Sequence, residues 1–415
     1  MIKRNSINLL NEKKLDILLI LYLGFLPLLI ISRSAIINLI TLLISLIFIF
    51  NLKKKNEFSF ILKDKIFYYI LFFWLSLFIN LFFSTNISES MTRVLGFGKW
   101  IIIIFLIKYY ISYKNFRFEM LIYKLWFLIF VLVTFDLAFE YIFGFNMLGF
   151  QSPMPGRLSS FLDQELKIGN FYTAFILISL SYFFMNWNKS YGFYAACILF
   201  IIISFIIGER SNFLKAILIL VIFFLLVDKN KFIYKTIALL TIVIAVFSLA
   251  TFNINYKNRS TAQLIMLKND GIFSYIKNSP YGAHYEAAIS VFKNYPFFGV
   301  GIKNFRSESK KKLYENKYIP FNSSRVSTHP HQIHFEFLSE TGIFGYLSFL
   351  LFFLFSIGLS IKSFLKSRNI YQLSAILFCI SSLLPIIPSG SFFTTYSATI
   401  FWTLFGVMIS YNKNN

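Results

Sequence analysis

Residues 327–361 read STHPHQIHFEFLSETGIFGYLSFLLFFLFSIGLSI. Here a polar segment holding three of the four histidines, His329, His331 and His334, gives way to an apolar run at 340–361. About 20 apolar residues cover the roughly 30 Å hydrocarbon layer of a membrane. The same signature recurs at 15–31, 35–51, 66–83, 94–112, 120–143, 168–187, 191–208, 212–227, 232–252, 370–388 and 392–410. Composition agrees: 57% of residues are hydrophobic and 14% charged, where a soluble chain carries about 25% charged. The fold is predicted to be all-α, a polytopic integral membrane protein of about twelve transmembrane helices. The first block runs into the second without a small-residue cleavage site and reads as a signal anchor. Cys197 and Cys379 fall inside apolar blocks and read as packing residues rather than a disulfide or metal pair.

Lysine and arginine set the expected orientation. With the N-terminus inside, 21 basic residues fall in cytoplasmic segments, whereas the short outer loops hold five, Arg33, Arg93, Arg157, Lys167 and Arg210. That asymmetry follows the positive-inside rule and places both termini in the cytoplasm. Much of the +22 net charge is then a topology signal that requires no nucleic-acid partner. The chain divides into spans 1–9 over 1–252, a large periplasmic loop containing helices over 253–339, and spans 10–12 over 340–415. Ahead of the histidine segment the loop carries twelve Lys or Arg against Asp270, Glu286, Glu308 and Glu315. Long loops are exempt from the positive-inside count. The excess suits either a polyanionic partner, such as a lipid pyrophosphate or anionic glycolipid, or a merely solvated face.

Within the loop, Tyr281–Lys293 has Tyr285, Ala288, Ile289 and Phe292 at helical spacing, predicting an amphipathic helix near the membrane surface. Asn294-Tyr295-Pro296 ends it, FFGVG gives a tight turn, and 303–317 reads as a second, more basic helix. In the histidine segment Ser327 and Thr328 are cap-type residues and Pro330 suits a first helical turn. His331, His334, Phe335 and Leu338 then fall on one face, and the helix N-terminus offers N–H groups to a phosphate. Zinc is a competing reading of HPHQIH, although carboxylate or cysteine partners at a zinc spacing are missing. A purely structural role is the third reading, with His334 divided between structure and function. Glu209 and Arg210 in IIGERSNF, Asp136 and Glu140 one turn apart, and Arg157, Asp163 and Glu165 cluster at the outer ends of spans. There an ionisable residue marks a site or an interfacial ion pair. Lys99, inside the fourth span, reads as snorkelling or paired.

These segments together resemble the O-antigen ligase and O-antigen polymerase superfamily of bacterial envelope enzymes. HPHQIHFEFLSETGIFG is similar to its histidine signature through His331, Gln332, Glu336, Glu340, Gly342 and Gly345, with Gln332 where the family usually has asparagine. GERSNF resembles the motif carrying a substrate-binding arginine, at Arg210. HYEAAISVFKNYPFFGVGIKNFR resembles the loop helix followed by Pro-x-x-Gly-x-Gly, and RLSSFLDQELKIG, from Arg157 through Glu165 to Gly169, a motif of one branch. The resemblance covers about 157–345. It implies transfer of a glycan from undecaprenyl pyrophosphate to an acceptor hydroxyl at the periplasmic face of the inner membrane. His331 is the implied general base of an inverting displacement that needs no metal or cofactor. The second pyrophosphate cation is left among His284, Arg259 and Arg306, with Arg306 favoured. Arg157, His284, His329 and Glu340 complete the expected substrate-binding set. The acceptor is either a lipid A-core, for a ligase, or another lipid-linked repeat unit, for a polymerase. A transporter of the same lipid-linked sugar is the alternative from a different class. Protonatable groups at mid-membrane depth would favour it, and here they gather at the outer edge.

Overall fold

A computed structural model describes residues 2–114, 116–187, 190–227, 232–252, 268, 271, 273–274, 276–316, 320–385 and 387–412. In chain order the helices are α1 (Ile2–Ile30), α2 (Ser34–Lys55), α3 (Ser59–Leu62), α4 (Lys65–Phe83) and α5 (Ile87–Lys108). There follow α6 (Phe116–Phe143), α7 (Ile168–Trp187), α8 (Ser190–Ile206), α9 (Arg210–Val227) and α10 (Phe232–Phe252). The last are α11 (Pro280–Asn294), α12 (Phe305–Ser309), α13 (Ile333–Ser367), α14 (Ile370–Ser382) and α15 (Thr395–Ser410). Among the described residues there are no strands, eight helices are long and apolar enough to cross a membrane, and three more are shorter apolar helices. The chain is an all-helical, multi-pass membrane protein.

The packing follows from which faces are apolar on both sides. α7 is almost wholly buried, wrapped by α6, α8, α9 and α14, and α15 is held between α5 and α14. Outer helices keep apolar side chains exposed in stripes, such as Leu347, Leu351 and Leu354 on α13. A stripe of that kind costs little in lipid and much in water. Both cysteines are buried and unpaired.

Several boundaries depart from the sequence reading. The tenth span begins at Ile333, not 340, and is interrupted at Gly342, which has φ 65° and ψ −171°. The break frees backbone groups, and the turn 296–301 takes them up. Val300 N–H donates to Ser339 C=O (3.0 Å) and Gly301 N–H to Glu340 C=O (2.9 Å). In return Ile343 N–H reaches Pro296 C=O (2.8 Å) and Phe344 N–H reaches Phe297 C=O (3.1 Å). The Pro-x-x-Gly-x-Gly and Glu-x-Gly motifs are thus the two halves of one interlock. The eleventh span stops at Ser382, because LLPIIPSGSFFT (383–394) carries two prolines; of it, residues 383–385 and 387–394 run as irregular chain back to the histidines. α11 forms as expected with Tyr285 and Ala288 buried, but Ile289 and Phe292 are only half-buried, and His284, Ala287 and Val291 complete the face packed with Phe335 of α13. The basic helix expected over 303–317 is broken into α12 and a 3-10 turn, Lys312–Tyr314. Buried Glu308 causes this: it accepts from Lys311 Nζ and Tyr314 Oη at 2.9 Å each, folding the chain back.

Candidate active site

His331 does not lie on a helix. Gln332 is the N-cap of α13, and its side-chain oxygen accepts from the N–H groups of His334 (2.7 Å) and Phe335 (3.1 Å). The cap therefore fills the N-terminal donors that the sequence reading offered to a phosphate. It also separates His331 from His334, so the two imidazoles do not share a face. His334 Nε2 donates to Leu383 C=O (2.8 Å), and its Nδ1 lies 2.8 Å from Tyr346 Oη. Nε2 holds α13 to the chain beyond α14, and Nδ1 ties the two parts of α13 together across the break at Gly342, which is the structural reading of this histidine.

His331 itself has φ 56°. A left-handed β-carbon-bearing residue is strained and needs its surroundings to hold it. Ser389 N–H donates to its carbonyl (2.8 Å), and Ser327 Oγ lies 3.1 Å from Nε2. His284 from α11 lies on one side, ring centroids 4.8 Å apart, and His329 on the other at 4.1 Å. Burial, followed by the charge of a neighbouring histidine, pushes His331 and His284 down to about 4. His329 is also pushed down to about 4, by burial and then by Lys303. All three rings are neutral bases at neutral pH. Among the described residues no three His, Cys, Asp or Glu side chains are arranged to hold a metal ion.

His329 and His331 border a cavity of about 680 Å³ whose lining also includes Tyr281, Arg93, Arg157, Lys167, Glu209 and Lys215; His284 stands behind His331 and does not line it. The long connection between α6 and α7 brings in Arg157. Asp136 and Glu140 act as its clamps: Asp136 accepts from Met147 N–H and Ser160 Oγ, and Glu140 from the N–H groups of Ser159 and Ser160. Gly208, at φ 77°, lets residues 156–158 run against the end of α8, since a β-carbon there would sit 2.1 Å from Gly156 O. Glu209 then accepts from Gly169 N–H (2.9 Å) and Asn212 Nδ2 (2.7 Å), with Arg157 at 3.7 Å. Burial raises the Glu209 carboxyl and lowers Lys167, whose Nζ pairs with Glu165 and lies 4.5 Å over the Tyr396 ring.

The remaining expected residues lie around this centre. Arg210 is the first residue of α9, exposed, and does not line the cavity, although its neighbours Glu209, Ser211 and Asn212 do. Arg306 lines an adjoining depression of about 500 Å³ with Lys303, Thr328 and Arg93. Arg259 lies outside the described residues. Glu340 is fully buried away from the cavity, its Oε2 accepting from Lys303 N–H (2.9 Å). Glu336 is equally buried and accepts from Ser391 Oγ and Phe392 N–H, while Lys303 Nζ donates to Ser391 Oγ (2.6 Å). The two motif carboxylates thus anchor the loop and the 383–394 segment beneath the histidines. Lys99 donates to Asn38 and lies 5.0 Å over the Trp100 ring, which is the paired reading.

Sequence reasoning gave no role to Arg93, Lys215 or the 383–394 segment. Arg93 borders both the main cavity and the Arg306 depression. Lys215 is buried within α9. The signal for the segment was present in Pro385, Pro388 and Gly390, which do not suit a membrane helix.

Residues 195–350 match the family model described as O-antigen ligase. That interval is the part of the chain that is similar to the O-antigen ligase and polymerase superfamily. No curated protein matches the sequence. The matched interval contains the histidines, Glu209, Arg210, Lys303, Arg306 and Glu340. Arg93, Arg157 and Lys167 come from outside it, as does the 383–394 segment.

Proposed function

We propose that this protein transfers a glycan from a polyprenyl pyrophosphate, undecaprenyl pyrophosphate in a bacterial inner membrane, to an acceptor hydroxyl at the periplasmic face. His331 takes the acceptor's proton as its oxygen forms a bond to the anomeric carbon. The bond from that carbon to the pyrophosphate oxygen breaks with inversion, and the electron pair leaves on the lipid pyrophosphate. Arg93, Arg157, Lys167 and Lys215 are the cations placed to hold that anion and stabilise its developing charge. Arg210 and Arg306, at the margin of the cavity, complete the set the resemblance implies. Burial among His284, His329 and the surrounding chain keeps His331 neutral until the anion arrives, and the anion then strengthens the base.

What carries the reading is one cavity that holds a neutral, strained imidazole and several cations together, within a chain partly similar to this family. The cavity serves ligase and polymerase chemistry equally, since both use the same donor. Purified protein given a polyprenyl-pyrophosphate-linked glycan and either lipid A-core or a second lipid-linked repeat unit separates them. Transfer to lipid A-core identifies a ligase, and growth of the lipid-linked chain a polymerase. Transfer to neither, with the donor intact, contradicts the proposal.

A further inference from the structure

A second cationic cavity lies at the other end of the helical bundle. It measures about 300 Å³, and five lysines line it: Lys108, which pairs with Asp64, and four others, Lys63 and Lys65 around the start of α4 and Lys362 and Lys366 near the end of α13. From Gly342 to Lys362 α13 runs about 30 Å at roughly 1.5 Å per residue, the thickness of the hydrocarbon layer. This cavity therefore opens at the membrane face opposite His331.

Its charges are unbalanced. The one acid in the lining is Asp64. That carboxylate is already committed, buried with Lys108 and accepting from Ile66 N–H (2.9 Å) at the helix cap. The polar groups of Tyr411 and Asn412 at the cavity floor are occupied too. Tyr411 Oη donates to Glu119 (2.6 Å), and Asn412 Nδ2 donates to Ser360 Oγ (3.1 Å). Lys63, Lys65, Lys362 and Lys366 have no carboxylate partner among the described residues. Beside them Ile66, Phe355 and Leu359 provide an apolar wall.

We propose that this cavity binds the headgroup of an anionic phospholipid, its phosphate among the four lysines and the start of an acyl chain against Phe355 and Leu359. The positive-inside rule accounts for lysines at this face, but it does not make them converge on one apolar-walled cavity. A free inorganic anion would use the lysines without the wall, so the lipid is the better occupant. The site is separate from the glycan-transfer centre, and its occupancy stands or falls independently of that reaction.

Native mass spectrometry of the detergent-purified protein, titrated with phosphatidylglycerol and with phosphatidylcholine, tests it. Wild type is expected to bind phosphatidylglycerol in preference. Lys362→Gln with Lys366→Gln should weaken that binding by roughly 30-fold, about fivefold per lysine. Lys53→Gln with Lys124→Gln removes as much charge from helix positions outside the cavity and should leave binding within about twofold. The four substitutions are at exposed positions, and unchanged lipid-free melting temperatures would show that both variants fold. Equal binding of the two lipids, equal losses in both variants, or displacement of the lipid by equimolar inorganic phosphate would overturn the proposal.

Discussion

Replacing Gly342 by alanine attacks the interlock that holds the loop over the histidines. At φ 65° and ψ −171° the residue occupies backbone space that is essentially reserved for glycine, a strain of about 1–3 kcal/mol for any other residue. The new β-carbon would also sit 2.4 Å from the carbon and oxygen of Phe297 and 2.5 Å from Phe298 N. These are backbone atoms, so the turn must move, and forced overpacking adds about 1–3 kcal/mol. The sum is roughly 2–6 kcal/mol, enough to displace a turn fastened by four backbone hydrogen bonds. Lys303 and Arg306 follow that turn directly, so glycan transfer should fall together with thermal stability in detergent. Gly299 packs reciprocally, its β-carbon position 2.5 Å from Glu340 C and 2.6 Å from Gly342 N. Alanine at both positions should therefore cost less than the sum of the single changes. Gly358 is the control, because nothing lies within 4 Å of its β-carbon position. Alanine there should be neutral or stabilising by up to about 1 kcal/mol. A Gly342→Ala protein that melts and transfers like Gly358→Ala would refute the interlock.

The other expectations are as follows. His284, His329 and His331 titrate near 4 in the folded protein against about 6.5 unfolded. The unfolded chain then binds more protons between those values, so stability should be highest above about pH 6.5 and fall on acidification toward pH 4, read by melting temperature across pH. In the same window kcat/KM, which reports the free enzyme, should stay high to well below pH 6.5 and drop as His331 protonates; a kcat/KM profile with an inflection at 6.5 would contradict the burial of this ring. Arg93→Ala should lower kcat/KM at least tenfold with unchanged melting temperature, one charge-assisted contact being worth about 1.5–3 kcal/mol. His334→Phe removes two hydrogen bonds and should destabilise by about 1–3 kcal/mol while kcat per folded molecule stays within about threefold of wild type.

Membrane class and the helical blocks were legible because hydrocarbon thickness acts on every span alike. The exceptions are local. Gly342 interrupts a helix whose hydropathy is continuous, and the turn 296–301, about 40 residues earlier in the sequence, supplies its missing hydrogen bonds together with Asn80, whose Nδ2 donates to Glu340 C=O (3.0 Å). His331 and His334 fall at helical spacing, yet Gln332 caps the helix between them, and the spacing describes no shared face. Glu340 reads as a site residue because it is a carboxylate in a motif, but its burial beneath Lys303 depends on a contact between distant segments. Arg93 and Lys215 were overlooked for a related reason. Each is a single basic residue near the end of an apolar block, indistinguishable in sequence from a snorkelling side chain, until folding turns both toward one cavity.

The central claim is that His331 removes the acceptor's proton. Purified His331→Ala protein, checked for unaltered melting temperature and donor binding, measures this directly when mixed with a polyprenyl-pyrophosphate-linked glycan and acceptor. Release of free polyprenyl pyrophosphate should fall by about 100- to 10,000-fold, the usual contribution of a general base. Transfer within about threefold of wild type would contradict the assignment.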